Sequence, residues 1–135
     1  MLYKLGRMLL IVLMGLGCMS CGNSKAACDV PEADVIDRIN ESMRHHMPDA
    51  SLENGHLLES TEYTNSSLII GEISLLSSEA TSPEFTYGIW VLSEDSQIIA
   101  SLSGNAKTYS SLSKASVDQE VAYFQSGDIT KARAC

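Results

Sequence analysis

Four cysteines, three histidines and one S-x-x-K tetrapeptide are the residues here whose types and spacing could do chemistry. Cys28 and Cys135 lie some hundred residues apart and bracket most of the chain. In an oxidising compartment such a pair reads as a disulfide. Closing a loop of that length stabilises by about 4–5 kcal/mol in the chain-entropy account. Cys18-Met19-Ser20-Cys21 matches C-x-x-C, but no strand-helix context surrounds it, so a redox site is not expected. Glu41 and His45 are four apart and could share a helical face, a spacing able to hold a metal. His46 would point about 100° away from His45, and no second ligand pair has suitable spacing, so no metal site is expected. Ser111-Leu112-Ser113-Lys114 has the nucleophile spacing of penicillin-recognising enzymes, in a chain with 20 serines and neither S-D-N nor K-T-G. G-x-S-x-G, a P-loop, H-E-x-x-H and an EF-hand loop are also absent. The expectation is therefore a protein with no catalytic residues, no cofactor and no identified small-molecule substrate, one that is not an enzyme.

The first residues differ from all that follow. Lys4 and Arg7 precede the apolar run Met8–Gly17, and no acidic residue occurs before Asp29. As a helix, that run would cover only about half of a ~30 Å hydrocarbon core. A positive start, a short apolar stretch and small residues after it form the pattern of a secretory signal. Gly15-Leu16-Gly17-Cys18 resembles a bacterial lipobox, with Gly15 standing where leucine is usual. The resemblance implies a signal peptide over 1–17 and acylation of Cys18. Cys21, after Met19-Ser20, is the alternative acceptor, with the signal over 1–20. Ser24-Lys25-Ala26 fits ordinary cleavage, with the signal over 1–26. Cysteine parity favours the second and third readings, because acylation of Cys18 would leave Cys21 as an odd thiol. All three leave Cys28 and Cys135 as a pair. The expected organisation is a tether over 18–28 and one exported domain over 29–135, facing the periplasm from a lipid anchor or soluble in the periplasm.

From residue 28 onward there are 17 acidic and six basic residues, a net charge of −11. That balance excludes a nucleic-acid partner and an electrostatic grip on anionic lipid. The length of 135 residues excludes a (β/α)8 barrel or a two-domain dinucleotide enzyme.

Val35, Ile36, Ile39, Met43 and Met47 recur at helical steps, predicting a helix from Pro31 to Met47 capped by Asp29 with Glu32 in the capping-box position. Period-two patterns predict strands over Ser67–Leu76, Phe85–Leu92 and Gln97–Ser103, with a weaker, polar candidate over His56–Tyr63. Ser116 and Gln119 have capping-box spacing, and Val117, Val121 and Phe124 form an apolar stripe after them. The expected fold is α+β: an N-terminal helix, a four-stranded antiparallel meander and a C-terminal helix, with both helices on one sheet face.

In that arrangement Trp90 lies on the uncovered face and is a natural contact for a protein partner in the envelope. Ser103-Gly104-Asn105-Ala106-Lys107-Thr108-Tyr109 follows a strand as a polar loop. It is similar to the S-G-x-(A)-K/R-x-Y loops of periplasmic lysozyme inhibitors, which implies that Gly104, Lys107 and Tyr109 contact an enzyme cleft. Glycine and asparagine are equally the ordinary residues of a turn. Two functions follow: a lipid-anchored envelope protein of binding type, or an inhibitor or immunity factor acting through Ser103–Tyr109.

Overall fold

The computed structural model describes residues 28–63, 65–75, 84–93, 95 and 99–135. Cys18, Cys21 and the three cleavage sites lie outside them.

The first helix, α1, runs over Ala33–Arg44 and buries Val35, Ile39 and Met43, as its spacing requires. Each such side chain contributes about 1.5–3 kcal/mol on leaving water. Its N-cap is Glu32, without a side-chain capping bond. Asp29 does not cap it, because the backbone of Asp29 forms a β-bridge with Leu57, N–H to O at 2.9 and 2.8 Å.

Four strands follow as an antiparallel meander: β1 (Ala50–Glu59), β2 (Ser66–Leu75), β3 (Glu84–Ser93) and β4 (Ile99–Ser101). After β4 comes a short helix, α2 (Gly104–Tyr109), and then the two-residue strand β5 (Ser113–Lys114). β5 returns parallel to β4, so the sheet has five strands and is mixed rather than purely antiparallel. The connection through α2 is what allows a parallel return. The chain closes with α3 (Val117–Ser126) and α4 (Asp128–Arg133), separated by Gly127 at φ +81°. The expected capping box at the start of α3 is present, with Ser116 and Gln119 each bonding the other's backbone N–H.

A bulge sets the register of β1. Glu53 pairs with Glu72 and His56 with Ile70, so β1 spends one extra residue there, with Asn54 at φ +50°. The consequence is that Leu52 and Leu57, five positions apart, both join the core on the α1 side.

The sheet carries apolar residues on both faces. Ile69, Ile73, Trp90 and Leu92 pack with α1, while Leu68, Ile70 and Ile89 pack with Tyr123, Ile129 and Ala132 from α3 and α4. The expected placement of both helices on one face is thus corrected: the sheet is sandwiched between α1 and the α3–α4 pair. Side chains engage backbone groups on the edge strand β1 and on the stretch of β3 that runs past β4. Asn40 Oδ1 accepts from the Leu52 N–H at 2.7 Å, and Asn105 Nδ2 donates to the Tyr87 carbonyl at 2.9 Å. Both contacts blunt the edges against further strands.

Cys28 and Cys135 are joined with Cα atoms 5.9 Å apart, across a sequence separation of 107. The two ends meet at the β1 edge, where Asp29 bridges Leu57 and α4 packs on β1 and β2.

Candidate functional site

The residues singled out by sequence are dispersed. Trp90 is 0% exposed, covered by α1, with its indole N–H 3.4 Å from Ser110 Oγ. It is a core residue, and the expectation that it meets a partner is corrected. Segment 103–109 is not a loop: Ser103 caps α2 by accepting from the Ala106 N–H, and Gly104 and Asn105 have no positive φ. Lys107 is paired with Glu120 of α3, and Tyr109 is half-buried beside the α1-side core. Gly104, Asn105 and Thr108 are the exposed residues of the segment, and Gly104 and Asn105 border an open groove. His45 and His46 are exposed at the end of α1, and His56 is half-buried on the other sheet face. Among the described residues no group of three His, Cys, Asp or Glu side chains could hold a metal ion.

The open surface lies where the sequence pattern had placed core. Val117, Val121 and Phe124 share one face of α3 at i, i+4 and i+7. That face points outward: Val117 is 73% exposed, and Val121 and Phe124 about half. α3 instead buries Tyr123, whose hydroxyl lies 3.0 Å from Ser66 Oγ and whose ring centroid is 5.0 Å from that of Tyr63. Burial raises the Tyr123 phenol above its ordinary pKa, against the lowering effect of its bonds to Ser66 and Ser60.

Beside α3 the sheet face continues uncovered. Val91 and Ile89 are the inner end of a row whose outer end is Tyr87 and Phe85, both 56% exposed. Between β3 and α3 runs a groove of about 620 Å³ floored by Ile70 and Ile89, walled by Phe85, Tyr87 and Phe124, and bordered by Gly104, Asn105, Glu120 and Arg133. A smaller recess of about 290 Å³ shares Ile70, Tyr87 and Arg133 with it and reaches His56 and Cys135. The groove therefore ends beside the clasp.

Its aromatic wall is fixed from behind. The Tyr87 hydroxyl donates to Glu72 Oε1 at 2.9 Å, and Asn54 Nδ2 donates to Glu72 Oε2 at 3.1 Å. The hydrogen bond to Glu72, reinforced by its charge, raises the Tyr87 pKa. A ring held in place before binding loses less entropy on binding. The Lys107–Glu120 pair locks α2 to α3 on the opposite rim.

One buried charge serves the frame. The Asp128 carboxylate, 0% exposed, accepts from Ser60 Oγ at 2.9 Å, from the backbone of Thr61 and Glu62 at 2.8 and 3.2 Å, and from the Thr61 hydroxyl. Burial alone would raise its pKa, but these hydrogen bonds together outweigh it and hold the carboxyl below the usual range.

Sequence reasoning missed the groove because it counted Val117, Val121 and Phe124 as core. The available signal was that β2 and β3 are apolar on both faces, which calls for cover on both sides. Comparison with known proteins gave no match: no family model, no curated protein and no solved structure is similar to this chain.

Proposed function

We propose that this chain is an exported, lipid-anchored protein of the bacterial cell envelope that works by binding a protein partner, and not by catalysis. Export and anchoring rest on the leader pattern with Cys18, or alternatively Cys21, as acceptor. The observation that carries the binding reading is the outward-facing stripe Val117, Val121 and Phe124, of which Phe124 lines one groove with the exposed rings of Phe85 and Tyr87. Large apolar side chains grouped in this way on a domain surface mark an interaction site. Trp90 is replaced as the contact residue by this surface.

Two measurements test the reading. Intact mass of protein purified from envelope, with and without reduction, separates a chain acylated at Cys18 or Cys21 from a lipid-free chain starting near Ala27. A photo-crosslinking residue placed at Val121 should form one discrete adduct in envelopes, while the same residue at Asp37 on α1 should form none. Equal labelling from both positions would remove the binding assignment.

A further inference from the structure

The charge around the exposed stripe says what kind of partner surface fits it. On α3, positions 117, 121 and 124 are flanked by the exposed Asp118 on one side and on the other by Glu120, whose charge is already shared with Lys107 of α2; the helix itself carries no basic residue. Glu84 stands next to Phe85, and Glu72 beneath Tyr87. The whole domain is acidic, with 17 carboxylates against six basic side chains from residue 28 onward. An anionic membrane surface would be repelled from such a face, and two copies brought together through it would set like charges opposite one another. Strand addition at β1 or along the outer stretch of β3 is also disfavoured, since the Asn40 and Asn105 contacts occupy backbone groups there.

We infer that the groove between β3 and α3 takes a basic amphipathic helix of a partner protein. Its apolar stripe would lie against Phe85, Phe124 and the fixed ring of Tyr87, in the helix-in-groove mode with anchors at i, i+3 or i+4, and i+7, and would reach past the groove onto Val121, three residues from Phe124 on the same face of α3. Its flanking Lys and Arg side chains would face Asp118 and Glu84. Arg133, at the clasp end of the groove, fixes the direction by favouring the carbonyl-rich C-terminus of the incoming helix. This inference rests on the binding reading above and narrows its partner class.

The test uses the disulfide-bonded domain and two synthetic 18-residue helical peptides with the same Leu stripe, one flanked by Lys and one by Glu. Calorimetric titration should show the Lys peptide binding at least tenfold more tightly than the Glu peptide. Phe124→Ala and Val121→Asp should each weaken it at least tenfold, with an unchanged melting temperature showing that the fold survives. Asp118→Asn with Glu84→Gln should weaken it several-fold, and Asp34→Asn with Asp37→Asn on α1 should leave it unchanged. Equal binding of both peptides, or equal loss from the α1 pair, would overturn the inference. So would a concentration-dependent dimer in sedimentation that Val121→Asp abolishes, or cosedimentation with phosphatidylglycerol vesicles that Phe124→Ala abolishes. If the Lys peptide fails while the Val121 crosslink persists in envelopes, the partner class is wrong and the binding reading stands.

Discussion

Thr61 gives both of its hydrogen-bond donors to Asp128: its backbone N–H to Oδ2 at 2.8 Å and its hydroxyl to Oδ1. The turn between β1 and β2 is therefore pinned to the first residue of α4, 67 positions along the chain. Cutting the side chain back to a methyl group leaves several donors of that turn without their acceptor. Asp128→Ala should destabilise the domain by about 2–4 kcal/mol at pH 7, read from urea unfolding.

The same carboxylate sets a pH dependence. Its pKa is lower folded than unfolded, so between the two values the unfolded chain binds more protons and stability rises with pH. The contribution is complete above the unfolded value of about 3.9 and disappears as pH falls through the folded value. Unfolding midpoints taken from pH 5 down to pH 2 should fall less steeply in Asp128→Asn than in the wild type. Parallel slopes would show that Asp128 does not carry the dependence.

Trp90 is the single tryptophan and fully buried, so its fluorescence reports the α1 side of the core. Emission should be blue-shifted and poorly quenched by acrylamide until unfolding. Trp90→Ala should cost about 3–5 kcal/mol through the cavity it leaves. Gly88 must stay small for the same reason: a Cβ there would sit 2.2 Å from Trp90 Cη2 and 2.9 Å from Ile73 Cδ1. Gly88→Ala should cost about 1–3 kcal/mol by overpacking and shift the emission maximum.

Reduction of the Cys28–Cys135 bond, or Cys28→Ser with Cys135→Ser, should lower stability by about 4–5 kcal/mol for the 107-residue separation. Alkylation of the native protein should modify neither cysteine before reduction. A midpoint unmoved by reduction would mean that the packing of α4 on β1 and β2 alone closes the fold.

Ser116→Ala removes one half of the α3 capping box and should cost about 1 kcal/mol. Because α3 carries one wall of the groove, the same variant should also weaken binding there. Ser116→Thr should restore both stability and binding.

Much of this frame is legible in the sequence for identifiable reasons. The 3–4 spacing of Val35, Ile39 and Met43 has one helical solution, and Ser116 with Gln119 has one capping geometry. β2 and β3 lie within one residue of their expected limits at all four ends, since no bulge interrupts their pairing. β1 was placed too late because the bulge at Asn54 breaks its period, putting Leu52 and Leu57 on the same side. The residues 103–109 read as a turn because Gly104 and Asn105 are poor helix formers; the Ser103 cap and buried Ala106 override that propensity. The site was not legible, since an apolar stripe at helical spacing looks the same whether it faces a core or a partner. What decides is Tyr123, one position from Phe124, which takes the buried place through its bond to Ser66.

The clasp also imposes an order in time. A chain that enters an oxidising compartment N-terminus first presents Cys28 before Cys135, 107 positions later. The β1–β2–β3 meander, closed by neighbouring strands, can assemble in that interval, while α4 and the final cysteine are still missing. Throughout the wait Cys28 is a thiol without its mate, open to capture by any oxidant or by another copy's cysteine. The bond that secures the finished domain is thus its last to form, and the yield of correctly closed molecules should depend on how quickly the final helix follows.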